Sequence, residues 1–232
     1  MTVYRLTETV AFPDPREADA SGLLAVGGDL EPTRLLAAYA SGIFPWYDEP
    51  PILWFSPEPR AALRPAELHL PRRLCRTLRS GRFELRLDTA FREVVAACAE
   101  VPRSDSGGTW ITPEMVSAYT RLHELGFAHS AEAWREGQLV GGTYGVSLGS
   151  AFAAESMFHR ERDAGNVALV ALIEQLAAWQ FTLFDAQLPT DHLARFGISG
   201  WSRERYLSAL AEALESETRR GIWRFELQGD TR

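Results

Sequence analysis

The sequence contains no lysine: all 24 of its basic side chains are arginine. That absence excludes lysine chemistry such as Schiff-base formation or a P-loop lysine on a nucleotide phosphate. Cysteine is nearly as scarce. Cys75 and Cys98 are not in a C-x-x-C pair, and two such lone thiols read as reduced packing residues. No stretch approaches eighteen uncharged apolar residues, which rules out a spanning helix and a membrane partner of that kind. The opening segment MTVYRLTETVAFPDP has no basic region followed by an apolar run, so no secretory signal is expected and the expected compartment is the cytoplasm. There is no G-x-S-x-G elbow, H-E-x-x-H, Walker sequence or G-x-G-x-x-G. The five histidines lack metal-ligand spacing, and Asp191-His192 reads as a structural pair. Neither a metal nor a cofactor is implied.

What is present is an ordinary globular composition. At 232 residues, 46% hydrophobic and 24% charged, the chain supports one sizeable core or two unequal ones. The net charge of −7 would argue against nucleic acid if it were spread evenly. Between Arg64 and Arg82, however, Arg64, Arg72, Arg73, Arg76, Arg79 and Arg82 face Glu67 alone. Spacings of three and four place Arg72, Arg73, Arg76 and Arg79 on one helix face, where like charges destabilise. Such a face suits an anionic partner, because guanidinium groups pair bidentately with phosphates and release counterions. A solvated basic face remains the alternative.

Residues 12–60 are rich in Pro, Gly and aromatics and read as turns around one helix, Pro32 to Ser41. This suggests a small N-terminal domain, residues 1–62, ahead of a larger one, residues 63–232. The run ELHLPRRLCRTLRSGRFELRLDTAFREVVAACA reads as strand, basic helix, strand, helix. Thr112 as N-cap, Pro113 at the first helical position and Gly126 past the end frame the next helix. HSAEAWREGQLVGGTYGVSLGSAFAAESMF reads as two or three antiparallel strands, the first two joined at Glu136-Gly137. A helix over 166–181 carries Val167, Val170, Ile173 and Leu176 on one stripe. TLFDAQL is short and apolar enough for a central strand, and Ser202 caps a final helix through Leu214. This order predicts an α+β fold with one central, mostly antiparallel sheet, compatible with an acetyltransferase-like sheet.

Three polar features sit in apolar surroundings. In Phe184-Asp185-Ala186-Gln187, strand alternation predicts Asp185 and Gln187 on one face. Two polar groups there are costly unless hydrogen-bonded, so they are either a satisfied structural pair or the edge of a cleft. Glu155, within AFAAESMF, is a carboxylate in an apolar strand; it either pairs with Arg160 or Arg162 or holds a cationic group of a substrate. The aromatics Trp46, Tyr47, Trp54, Phe55 and Trp110 lie beside turn residues, where rings either pack or stack on bases.

The blocks FPDP, GLLAVGGDL, GIFPWY, ILWFSPEPRA, GTWIT, AYTRLHELG, HSAEAWREGQLVGGTYGV, ESMF and FDAQLPTDHLARFG, in this order, resemble the bacterial leucyl/phenylalanyl-tRNA–protein transferases over almost the whole length. The resemblance implies a small N-terminal domain before an acetyltransferase-like domain. It implies Leu- or Phe-charged tRNA as donor, a protein with N-terminal Arg or Lys as acceptor, and an N-terminal degradation signal as product. By position it makes Asp185 and Gln187 the catalytic pair and Glu155 a site residue. It places Trp46 and Trp110 at the aminoacyl-adenosine site, Phe152 and Met157 in the apolar amino-acid pocket, and Arg72, Arg73, Arg76, Arg79 and Arg82 on the face meeting the acceptor stem. A monomer is expected.

This sequence departs from the family pattern at Asp163-Ala164-Gly165-Asn166, where an Asn-Ala-Ser-Lys run is usual, and at Thr190, which replaces an Asn. The expected arrangement has the Gln187 carbonyl accepting from the acceptor amine while its NH2 donates to Asp185. Two other readings are an acyl-CoA acetyltransferase, whose pyrophosphate loop Arg162–Val167 nearly matches, and a non-catalytic adaptor.

Overall fold

The computed structural model describes residues 3–101 and 111–226. The chain begins with β1 (Tyr4–Leu6), β2 (Leu23–Gly27), helix α1 (Pro32–Ala40), β3 (Phe44–Pro45) and β4 (Leu53–Phe55). These four strands form a small sheet in the order β1-β2-β4-β3. Helix α1 follows the sequence closely, but strands stand where the composition suggests turns. Segments of two to five residues, punctuated by Gly27 and Pro45, are too short to show alternation.

From Arg60 the chain enters a second sheet: β5 (Arg60–Leu63), α2 (Arg72–Arg79), β6 (Glu84–Leu87), α3 (Phe91–Ala99), α4 (Pro113–Glu124), β7 (Ala128–Arg135), β8 (Gln138–Leu148) and β9 (Ala151–His159). It continues through α5 (Ala164–Ala178), β10 (Leu183–Gln187), α6 (Asp191–Ala194), β11 (Ser199–Trp201) and α7 (Arg203–Leu214). The seven strands run β11-β5-β10-β9-β8-β7-β6. Every neighbouring pair is antiparallel except β9 and β10. The whole is a mixed α+β fold, and among the described residues no helix is long and apolar enough to cross a membrane.

Local chemistry explains most element ends. The Thr112 hydroxyl accepts from Met115 N at the start of α4, and Gly126 at φ +79 ends it. Glu136 (φ +51) and Gly137 (φ +75) turn β7 into β8 with both central residues left-handed. Ser202 accepts from Arg205 N to start α7.

Two expectations are corrected. Glu67–Leu70 is not a strand: residues Pro65–Glu67 form a 3-10 turn, and the strand lies earlier, at β5. All four β5 residues are buried, so the segment lacks the alternation by which a half-buried strand is recognised. Helix α5 begins at Ala164 and carries no single stripe; eleven of its residues are buried, the pattern of a helix apolar all round. Gly141 on β8 permits this: a Cβ there would lie 2.6 Å from the backbone of Ala164.

Alternating residues of the large sheet feed opposite faces. Phe152 and Phe184 pack with Leu169, Leu172 and Ile173 of α5, whereas Leu183 packs with Tyr206 and Leu210 of α7. A further cluster joins Leu24, Leu35 and Trp54 of the small sheet and α1 to Phe91, Val94 and Tyr119 of α3 and α4. The two sheets therefore share a core, and the division expected between 62 and 63 falls inside β5.

The feature that positions the site is the parting of β9 and β10. Their parallel register runs Leu183↔Ala151, Phe184↔Phe152, Asp185↔Ala153. Past this pair β9 carries on to His159 and β10 to Gln187, and a cavity of about 250 Å³ lies between Ala154–Met157 and Ala186–Thr190.

Candidate active site

Asp185 is 2% exposed, and among the described residues its carboxylate accepts from four donor groups. Arg60 Nε donates to Oδ1 at 2.8 Å and Nη2 to Oδ2 at 2.7 Å, a bidentate pair. Tyr206 OH donates to Oδ2 at 2.8 Å and the Gln187 backbone N–H to Oδ1 at 2.9 Å. Arg60, 1% exposed, also donates to the Gly42 carbonyl and lies over the rings of Phe44 and Tyr206, at 4.7 and 4.5 Å. Burial and the neighbouring Asp185 carboxylate raise the Tyr206 phenol well above its usual range, so it remains a donor.

The expected alternation fails one residue later. The β10–β5 register slips between Asp185 and Gln187, and Gln187 has φ +60, the left-handed region that a non-glycine residue enters at a cost. The backbone bond to Asp185 helps hold it there. The consequence corrects the expected pairing: Gln187 Nε2 donates to Glu155 Oε1 at 2.7 Å, not to Asp185. Asp185 touches Gln187 only through the backbone.

Glu155 is the second surprise. Its pairing with Arg160 is not made; Arg160 lies near Glu100 instead. A β8–β9 register shift between Tyr144 and Gly145 leaves Glu155 as an extra residue on β9. Its Oε2 accepts from Tyr119 OH at 2.8 Å, and Tyr119 OH meets Tyr39 OH at 2.5 Å. A buried chain thus runs from α1 through α4 to the sheet: Tyr39, Tyr119, Glu155, Gln187. Burial pushes the Glu155 carboxyl up to about 7, against the hydrogen bonds from its tyrosine neighbours and Gln187, and the Asp185 charge adds to the rise.

Glu155 and Gln187 open on the cavity between β9 and β10, whose other walls include Met157, Leu169, Phe184 and Thr190. The cavity is therefore apolar with a polar end, as small-molecule sites usually are. Phe152 does not reach its wall. It is fully buried and stacks against Phe184, ring centroids 6.0 Å apart, so Phe184 occupies the lining position expected of Phe152. The Thr190 hydroxyl caps α6 by accepting from Leu193 N.

Trp46 is 39% exposed on the small sheet, edge-on to Phe55, while Trp54 is buried with its indole N–H on the Gly27 carbonyl. Trp110 lies outside the described residues. Arg72, Arg73, Arg76, Arg79 and Arg82 lie on and just after α2, none of them buried; Arg82 is bound to Glu161. No described carboxylate lies within ion-pair distance of Arg72, Arg73 or Arg76.

Residue spacing missed Arg60, Tyr39, Tyr119 and Tyr206, whose partners are distant in sequence. An arginine beginning the apolar run RAAL was the one available signal for Arg60. Spacing also missed a cluster of Asp88, His123 and His129, whose ligand-type atoms lie within 4.8 Å. Most of these atoms are committed, though His129 Nε2 is not: His129 Nδ1 contacts Asp88, His123 Nδ1 contacts the Ala128 carbonyl, and Asp88 accepts from Ser130 N and Trp223 N. With Trp223 stacked on His129 at 3.6 Å, this is a buried anchor for the chain after α7.

The family model described as leucyl/phenylalanyl-tRNA protein transferase matches residues 62–211, and the one for the N-terminal domain of that transferase matches 28–58. The chain belongs to this family. It is 57% identical over 226 residues to the leucyl/phenylalanyl-tRNA–protein transferase of Myxococcus xanthus (strain DK1622), covering 96% of this chain and 97% of that one. It is 55% identical over 230 residues to the protein of the same name from Anaeromyxobacter dehalogenans (strain 2CP-C), covering 99% of each. Two solved structures show weak similarity. L-PGS from Bacillus licheniformis has a TM-score of 0.38 at 10% identity, over 85% of this chain and 66% of that one. A GCN5-related N-acetyltransferase-like protein from Streptococcus suis has a TM-score of 0.30 at 17% identity, over 79% and 61%. Neither adds to the family assignment, which makes this chain an aminoacyltransferase.

Proposed function

We propose that the chain transfers Leu or Phe from aminoacyl-tRNA to the α-amino group of proteins bearing N-terminal Arg or Lys, creating an N-terminal degradation signal. The observation that carries the reading is Glu155: a carboxyl pushed up to about 7, hydrogen-bonded to Gln187 at the polar end of an apolar cavity. In this reading the enzyme works as a cytoplasmic monomer, with residues 1–62 as a small unit on an acetyltransferase-like body. That likeness is supported by a mostly antiparallel sheet whose one parallel pair parts at the site.

The donor ester is already activated, so the enzyme's tasks are alignment and proton handling. The amino acid's apolar side chain occupies the cavity against Met157, Leu169 and Phe184. The Gln187 amide oxygen accepts from the acceptor amine, while its Nε2 is held by Glu155. The neutral amine attacks the ester carbonyl, and a C–N bond forms as the C–O bond to the ribose breaks. The proton lost by nitrogen passes to Glu155 and from it to the leaving ribose oxygen. A carboxyl near neutrality suits both halves of that transfer. Asp185 is a positioning residue that fixes the Gln187 backbone and neutralises Arg60. Trp46 and Trp110 stack on the terminal adenosine, and the α2 arginines meet the acceptor stem.

The test combines purified protein, radiolabelled Leu-tRNA and a short peptide beginning with Arg, beside the same peptide N-acetylated. Label in the free-amine peptide alone supports the reading; label in neither refutes it.

A further inference from the structure

Beyond Thr190 a second, open cavity of about 730 Å³ adjoins the first. Its lining is small or uncharged, with Pro189, Ala194, Gly197, Ile198 and Gly200 among the walls, and Asp191 is the one ionisable side chain on it. Asp191 is exposed and makes no ion pair with a described residue. Arg195, the nearest basic residue in sequence, is turned to His192 instead. The Thr190 hydroxyl is committed to the α6 cap. An open space with ample room for a side chain, carrying one unpaired carboxylate and sharing Thr190 with the cavity that Gln187 lines, is therefore complementary to a short cationic group.

We propose that this cavity receives the side chain of the acceptor's first residue and that Asp191 is the counter-ion selecting Arg or Lys there. The inference rests on the transferase reading above and adds the residue that sets acceptor choice. The first cavity is unsuited to the task. Its walls at Met157, Leu169 and Phe184 would desolvate a guanidinium, and in the reading above they hold the donor's apolar side chain. Attraction at an exposed carboxylate is modest and screened by salt, so selectivity, not total activity, is the quantity to read.

The experiment compares two peptides differing only at residue one, arginine against citrulline, which keeps the shape and loses the charge. The kcat/KM ratio is measured with Phe-tRNA as donor for the wild-type enzyme, Asp191→Asn, Asp191→Glu and Asp191→Arg. The wild-type ratio is expected to favour arginine by about three- to tenfold and to shrink as ionic strength rises. Asp191→Asn should bring it to about one, Asp191→Glu should keep it, and Asp191→Arg should take it below one. A preference that survives Asp191→Asn overturns the assignment and leaves the transferase reading intact. Equal labelling of both peptides by wild type overturns cation selection at this site. If wild type labels neither peptide, the transferase reading falls and this proposal with it.

Discussion

Replacing Asp185 with asparagine removes one negative charge from a pocket in which Arg60 is 1% exposed and has no other carboxylate partner among the described residues. The amide can keep one bond from Arg60 and one from Tyr206, but the buried guanidinium charge is left with neutral partners alone: that amide, the Gly42 carbonyl, the Tyr206 hydroxyl and two ring faces. Breaking one side of a buried ion pair in this way costs about 3–5 kcal/mol. For a chain of this size each kcal/mol lowers the melting midpoint by about 2–4 °C, so a fall of about 6–20 °C is expected. The Gln187 backbone loses a charged anchor at the same time, so kcat should fall along with stability. Thermal unfolding of wild type, Asp185→Asn, Arg60→Met and an Asp185→Leu/Arg60→Met double variant measures the effect. The double variant should be less damaged than the sum of single replacements, because removing both charges leaves neither unpaired. An Asp185→Asn midpoint within about 2 °C of wild type, with kcat down by about 100-fold, would refute this reasoning and move Asp185 into the chemical step.

Four further outcomes follow from the same geometry. The Glu155 carboxyl lies near 7 in the fold against an ordinary 4.5, so its contribution to stability is complete below about 4.5 and is lost as pH rises through about 7. That loss amounts to about 3 kcal/mol, so denaturant midpoints at pH 5 and 8 should converge for Glu155→Gln relative to wild type. Transfer rate has the opposite dependence, falling below about pH 7 as the base is protonated, and rate profiles of wild type and Glu155→Gln check it. Tyr119→Phe removes a bond that favours the charged carboxyl, so the acidic limb of the wild-type rate profile should move to higher pH. Replacing Arg72, Arg73 and Arg76 together by alanine should leave the melting midpoint within about 1 °C and raise KM for aminoacyl-tRNA. It should also flatten the salt dependence of binding by about 0.7–0.9 for each phosphate that is no longer neutralised. Unchanged tRNA affinity would reduce that helix face to a solvated one.

Features written in neighbouring residues were legible in the sequence. Thr112 and Gly126 bracket α4, Glu136-Gly137 makes the hairpin, and Ser202 starts α7, because caps and turns act within a few residues. Glu155 and Gln187 stood out because polar side chains in apolar strands require an explanation. Their partners did not, since Arg60 and Asp185 are 125 positions apart and Tyr39 and Tyr119 are 80 apart. Strand alternation predicted an Asp185–Gln187 pair, but a register slip and one left-handed residue redirected the amide to Glu155. Phe152 was expected in the cavity wall, yet one strand over, Phe184 covers it. In each case what was hidden was a non-local contact or a break in strand periodicity.

Arg60 has a consequence for how the protein is made. Its guanidinium joins the carbonyl of Gly42, the carboxylate of Asp185 and the phenol of Tyr206, so it ties early, late and nearly final portions of the chain. During synthesis Arg60 emerges long before either late partner, and Gln187 lacks its supported geometry until β10 and α7 have docked. A nascent or truncated chain ending before Tyr206 would therefore hold the cavity's apolar walls without the full support of the Gln187 amide. If Gln187 acts as proposed, transfer requires the chain to have closed around this one side chain, and incomplete copies are expected to be silent.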